Sequence, residues 1–339
     1  MWLRAGAHGG PARWCPGRVG GVRAEPAGVV CLSAGGAVPA GRAGGGAAGV
    51  ADRPAAPSVG FVHGMLARAA DLLDEVDKRI AALLTLAYVV CADETPLRVG
   101  AAGAKKCLLV ACTDRYTHYL LGGRDLETFK AMVLKDLAAG SVIVHDRYQN
   151  YDAAPFGHLL HQLCTAHLLR DLEGVVEFYP DEVWPVQIRD ALRGLIHEAN
   201  SSRAERRDRI EASIKDELVW RFRQGVLVGL SDTSSHGDRP DERKARLLLE
   251  VLRDRQADVL RFAEDLAVPA TSNQAERDLR PGKIQQNTSG RLTSEQRTRD
   301  RYKILGCLST AAKHGLNQLT VLRDAILGRL WMPELPATT

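Results

Sequence analysis

Two short apolar runs each deliver an aspartate, and this repeated ending constrains the chain more than any other feature. Val89-Val90-Cys91-Ala92 runs into Asp93, and Val142-Ile143-Val144-His145 runs into Asp146. Apolar runs of this length read as buried strands. Ligands of open α/β sheets gather outside the C-terminal strand edges, so an aspartate at that edge is placed for chemistry. If the two strands are neighbours, both carboxylates share one patch. Like charges at close range call for a cation, and hard oxygen ligands favour Mg²⁺ or Mn²⁺. Each aspartate also has a local reading. Asp93 can begin a turn before Pro96, and Asp146 can start a turn or cap a helix.

The flanking pattern predicts the elements around these runs. Residues 61–84 carry Leu66, Ala70, Leu73, Val76, Ile80 and Leu83 at three- and four-residue steps, an amphipathic helix. Strand-like runs follow at 88–91, 107–112 and 117–121, joined by turn-rich pieces that suit an antiparallel meander. A helix is expected over 125–138, stopped by Gly140, then the strand at 142–144 and a helix over 163–178. Residues 181–266 read as long, charged helices broken once, at Ser231–Pro240, and residues 273–330 as closing helices interrupted near Pro281–Gly290. The order is three strands, helix, strand, helix, an all-helical insertion and closing helices. This is an α/β class.

Residues 1–57 stand apart. They contain no Lys, only Glu25 and Asp52 as acids, and are dominated by Gly, Ala, Pro, Arg and Val. Such composition predicts a disordered leader without a packed core. Arginine without amphipathic spacing argues against a transit peptide. GC-rich DNA read upstream of, or out of frame with, a gene encodes this composition, so a non-native leader is expected. For the rest, 45% hydrophobic and 25% charged residues match a globular protein, and the net charge of +4 permits a polyanionic partner. Seven cysteines form no CxxC pair, so zinc-ribbon spacing is absent and reduced, partly buried thiols are expected. No apolar stretch reaches the roughly 18 residues of a membrane span.

A third acid stands in Thr271-Ser272-Asn273-Gln274-Ala275-Glu276-Arg277. Asn273 as N-cap with Glu276 three residues on is a capping box, the local reading of that segment. Arg277, Arg280, Lys283, Arg291, Arg297, Arg299, Arg301 and Lys303 follow. They suit phosphate neutralisation beside a metal site, or a solvated helix face. Cys164, His167 and Arg170 recur at steps of three on one side of a helix. Two visible ligands fall short of the four that structural zinc takes, so zinc is not expected. Tyr148 and Tyr151 lack the Arg-His-Arg constellation of a tyrosine recombinase and read as turn or core packing.

Together these segments resemble the DDE transposases of the insertion sequence 66 family. The resemblance rests on Ala92-Asp93-Glu94-Thr95, on Val144 to Tyr151, and on the Cys-x-x-His segment Leu163 to Leu172. Asn273 to Pro281 is the most specific match, and Thr310 to Gly315 also resembles the family. The likeness covers about residues 61–330.

It implies a ribonuclease-H-like mixed sheet flanked by helices, with an all-helical insertion. The implied division is 58–180 as the first part of the catalytic domain, 181–266 as the insertion, 267–330 as closing catalytic helices and 331–339 as a tail. Asp93, Asp146 and Glu276 become catalytic acids holding two divalent cations, Mg²⁺ or Mn²⁺, for hydrolysis and strand transfer at insertion-sequence ends. Arg277, Arg280, Lys283 and Arg291 would bind DNA, and Cys164, His167 and Arg170 would support the site. Implied partners are transposon-end and target DNA, a homo-oligomer in the active complex and accessory proteins of the element. Implied localisation is the bacterial cytoplasm, on the nucleoid. Full-length relatives carry an N-terminal zinc-containing DNA-binding region, which residues 1–57 do not resemble, so a truncated or misannotated copy is expected. The competing readings are an inactive remnant that binds DNA without specificity and a metal-dependent nuclease of the same fold.

Overall fold

A computed structural model of the protein describes residues 57–233 and 240–335. Residues 1–56, which hold nearly all of the expected disordered leader, lie outside the described residues. So do 234–239, within the expected break at Ser231–Pro240, and 336–339 of the tail.

Five strands form one mixed sheet: β1 Val89–Leu97, β2 Lys106–Cys112, β3 Thr117–Gly122, β4 Val142–His145 and β5 Leu160–Leu163, in the order β3-β2-β1-β4-β5. The first three make the expected antiparallel meander, and β4 and β5 add in parallel on the other side of β1. The side-chain alternation of β2 sorts the sheet into two faces. Cys107, Leu109 and Ala111 join one core with Val90, Ala92 and Ile143. Leu108, Val110 and Cys112 join the opposite core with Cys91, Val142 and Val144.

Helices α1 Val59–Leu72, α2 Asp74–Thr85 and α3 Leu126–Ala131 supply the first core, together with α10 Glu295–Lys313 and α11 Gln318–Ile326. The other face is covered by α9 Asn273–Ser289, which lies across β1 and β2. Between β5 and α9, helices α4 Thr165–Phe178, α5 Trp184–Ala204, α6 Ala212–Thr233, α7 Pro240–Asp254 and α8 Gln256–Glu264 build a separate apolar core around Trp184, Leu192, Phe222, Leu249 and Phe262. None of the described helices is long and apolar enough to cross a membrane.

Several expectations are corrected. The helix over 61–84 is two helices, broken at Leu73, and the helix over 125–138 is α3 followed by a 3₁₀ turn at Val133–Asp136. The charged helical stretch is broken at 205–211, between α5 and α6, where no break was expected. β1 does not end at Asp93. It runs on to Leu97 because β2 pairs along that stretch, and Pro96 is tolerated where β1 has lost its second neighbour. Helix α9 continues through Pro281 rather than stopping there. The missing N–H removes one helical bond, and packing of α9 on the sheet outweighs that loss.

β5 escaped the sequence reading because its run is interrupted by His161 and Gln162. Gln162 is fully buried all the same. Its amide donates to the carbonyls of Leu163 and Val259, at 2.8 and 3.0 Å, and its oxygen accepts from the Phe262 amide at 2.8 Å. A fully bonded polar side chain can be buried at little net cost.

Candidate active site

The parallel register pairs Val89 with Val142, Val90 with Ile143 and Cys91 with Val144. Two steps further on, the same offset sets Asp93 level with Asp146. Both follow the alternation of Cys91 and Val144, so both face the side that α9 covers. Ligand atoms of Asp93, Asp146 and Glu94 all lie within 4.8 Å of one another. The sheet thus brings together two of the three acids expected from the sequence, plus a third carboxylate that was not expected.

Each acid is held differently. Asp93 is 7% exposed, and burial, with smaller contributions from the charges of Glu94 and Asp146, pushes its pKa up to about 7. Lys283 on α9 is close enough to oppose that rise. One Asp93 oxygen accepts the Glu94 amide at 2.8 Å, and Asp146 Oδ1 accepts the Tyr148 amide at 3.0 Å. Each aspartate keeps a second oxygen for a ligand. Glu94 does not have that freedom. Arg124 donates to its Oε1 at 2.8 Å and the buried Tyr151 hydroxyl donates to its Oε2 at 2.9 Å. Tyr151 is core and site wall at once, packed against the rings of Phe129 and His145. Tyr148 donates to the Arg124 carbonyl at 3.0 Å and carries the Arg124 guanidinium over its ring.

Glu276 enters from α9 and stands outside the 4.8 Å group. The expected capping box is not formed. The N-cap is Ser272, with no side-chain cap bond, and Asn273 is the first residue of the helix. Glu276 Oε1 instead lies 3.8 Å from His167 Nε2 on α4. His167 also feels Asp146, so it stands near both acids, and its pKa is raised, first by the Cys164 thiol. Its Nδ1 is buried without a hydrogen bond of regular geometry. Cys164 is buried, which raises a thiol, yet interactions with His167 and Ser272 outweigh burial and lower its pKa. The Ser272 amide donates to its sulfur at 3.3 Å, tying the start of α9 to the start of α4.

The basic residues divide by commitment. Arg277 and Lys283 are exposed and Arg280 lies with them, at three-residue steps along α9. Arg291 is exposed but already donates to the Ala101 carbonyl at 2.6 Å, fixing the loop beyond β1. Arg170 is exposed on α4. Arg297, Arg299 and Lys303 are paired with Asp300, Glu295 and Asp74.

The family model described as Transposase IS66 family matches residues 55–299. The chain belongs to this transposase family. A search of curated proteins finds no match. The IS66 match spans every acid above, the Cys164–His167 pair and all five helices between β5 and α9. It ends inside α10, short of Thr310–Gly315. Membership in this transposase family implies action on DNA and divalent-metal use in general terms.

The residues present suit such a cation. Three carboxylates crowd one patch, and burial raises the pKa of Asp93 to about 7 even with Lys283 nearby. Hard oxygen donors of this kind suit Mg²⁺ or Mn²⁺. Sequence reasoning missed Glu94, although it is the neighbour of Asp93 in the motif. Strand alternation assigns it to the opposite face, and only Arg124 and Tyr151 draw its carboxylate to the site.

Proposed function

We propose that this chain is the catalytic region of a DNA transposase that hydrolyses a phosphodiester at an element end and joins the freed strand to target DNA. The observation that carries the proposal is the alignment of Asp93 and Asp146 where the β1–β4 pairing stops. The strand order β3-β2-β1-β4-β5, with parallel β4 and β5, supports a ribonuclease-H-like fold. In this reading residues 58–180 and 267–330 form the catalytic domain and 181–266 the helical insertion.

Asp93, Asp146 and Glu276 would hold two divalent cations, Mg²⁺ or Mn²⁺, whose chemistry is to activate a water and stabilise the leaving 3′ oxygen. Asp93 binds through its ionised form, which burial makes scarce below about pH 7. Glu94, clamped by Arg124 and Tyr151, contributes negative charge without a free oxygen. The His167 ring stands against the Glu276 carboxylate on the α4 side, and Cys164 anchors the Ser272 amide that starts α9. Arg277, Arg280 and Lys283 neutralise phosphates along α9, and Arg277 or Arg280 steadies the charge that develops on the reacting phosphate. Pairing two element ends favours a homo-oligomeric complex, with accessory proteins of the element as further partners.

The test is nicking of supercoiled DNA by the full chain with Mn²⁺ or Mg²⁺ supplied. The expected outcome is metal-dependent nicking that Asp146→Ala and Asp93→Ala each reduce to background. Nicking that survives either substitution would sink the assignment.

A further inference from the structure

Beneath Asp146, on the sheet face away from α9, lies a polar cluster with no part in the chemistry above. His145 is fully buried, and its Nε2 stands 3.0 Å from His161 Nδ1 on β5. His161 lies 3.8 Å from Asp152. Asp152 receives two guanidinium nitrogens of Arg255, each at 2.9 Å, from the junction of α7 and α8. His145, Asp152 and His161 bring three ligand atoms within 4.8 Å, a donor set that a transition metal can use.

Hydrogen-bond direction argues against a metal there. The Arg147 amide donates to His145 Nδ1 at 3.2 Å. Nδ1 therefore presents its lone pair, and the proton of the neutral ring sits on Nε2, aimed at His161 Nδ1. Both nitrogens of His145 are occupied, and Arg255 adds a cation beside the cluster. Burial holds both imidazoles below their ordinary pKa, in keeping with neutral rings.

The cluster instead holds an unusual backbone. Arg147 has φ 78°, in the left-handed region that residues with a Cβ rarely enter. That bend carries the chain round so that the Tyr148 amide reaches back to Asp146 Oδ1. We infer that His145 is a positioning residue for Asp146. Its Nδ1 fixes the Arg147 amide and with it the direction of the carboxylate. The approach of His161 to Asp152, at 3.8 Å, and the Asp152–Arg255 ion pair link that hold to the helices between β5 and α9. The inference rests on the reading of Asp146 as a metal ligand.

The experiment is Mn²⁺ binding to the full chain, followed by electron paramagnetic resonance, with each variant's fold checked by circular dichroism. Outer partners of metal ligands typically change affinity by about 10–100-fold, and His145→Leu should weaken Mn²⁺ binding by roughly that factor. His145→Asn, whose Oδ1 can take the place of Nδ1, should regain most of the affinity. Arg255→Met should weaken binding in the same direction, by less. Wild-type affinity in folded His145→Leu or Arg255→Met, or Asn behaving no better than Leu, overturns the inference. Asp146→Asn separates it from the reading beneath. If that variant binds Mn²⁺ like wild type, the metal site itself is wrong. If it abolishes binding while His145→Leu is silent, only the positioning role falls. Should His145→Leu fail to fold, His161→Leu and His161→Asn replace it. Leu must then weaken binding and Asn restore it, and equal behaviour of the two overturns the inference.

Discussion

At the scale of single residues, the site is governed by how each carboxylate is housed. Asp93 faces an apolar core with no cation bonded to it, and its pKa rises from 3.8 to about 7. A carboxyl with a raised folded pKa binds its proton more tightly folded than unfolded. The fold therefore loses stability as pH climbs through that window and carries the full penalty above it. Asp93→Asn should match wild type at pH 4 and be more stable at pH 8, by at most about 4 kcal/mol at roughly 1.36 kcal/mol per unit. Thermal melts of the metal-free chain at both pH values check this, and equal melting temperatures at pH 8 would contradict it. Mn²⁺ should raise the melting temperature of wild type at pH 8 and leave that of Asp93→Asn nearly unchanged.

At the scale of elements, α9 must be seated firmly if Glu276 is to act with residues of the sheet. Its seat is a buried ion pair. Asp278 bonds Lys313 of α10 at 2.8 Å, the Thr117 hydroxyl at 2.9 Å and Gln274 at 3.0 Å. The Lys313 ammonium also donates to the carbonyls of Thr113 and Tyr116. Both side chains are nearly closed to solvent, at 8% and 11% exposure. Removing one partner strands the other, so Lys313→Met should cost about 3–5 kcal/mol in urea unfolding. The double variant Asp278→Leu, Lys313→Met should recover part of that loss. Another close fit lies between α5 and α6, away from α9, where Gly225 and Gly229 let those two helices approach. A Cβ at Gly229 would meet the Trp184 ring at 2.7 Å, and one at Gly225 would meet Ile188 at 2.7 Å. Gly229→Ala should destabilise by about 1–3 kcal/mol through overpacking, and an unchanged urea midpoint would refute that expectation.

At the scale of the whole molecule, the proposed contact with DNA rests on the cations of α9. Arg277, Arg280 and Lys283 follow one another on a helix that also carries Glu276. If each neutralises a phosphate, replacing all three with Gln should flatten the plot of log affinity against log salt by about 0.9 per residue replaced, or about 3 in all. Titrations of labelled duplex at several salt concentrations measure the slope directly. An unchanged slope would place the DNA path elsewhere.

Sequence alone determined the class of the fold and the two strand-borne aspartates, because both follow from local pattern. Apolar runs of strand length, turn residues between them and three-residue helical steps are written in neighbouring residues. The same reasoning marked Glu276, but as a cap, since a capping box is the local option for that segment. Tertiary structure decided otherwise, through the approach of Glu276 to His167, more than one hundred positions away. It also decided where β1 ends, since β2 extends the strand past Asp93, and that His161 and Gln162 lie in a strand, since α8 supplies partners for Gln162. Glu94, His145 and Arg255 belong to that second group. Their roles come from pairings between strands and helices that no local pattern encodes, because burial and hydrogen-bond partners exist only once the sheet is assembled.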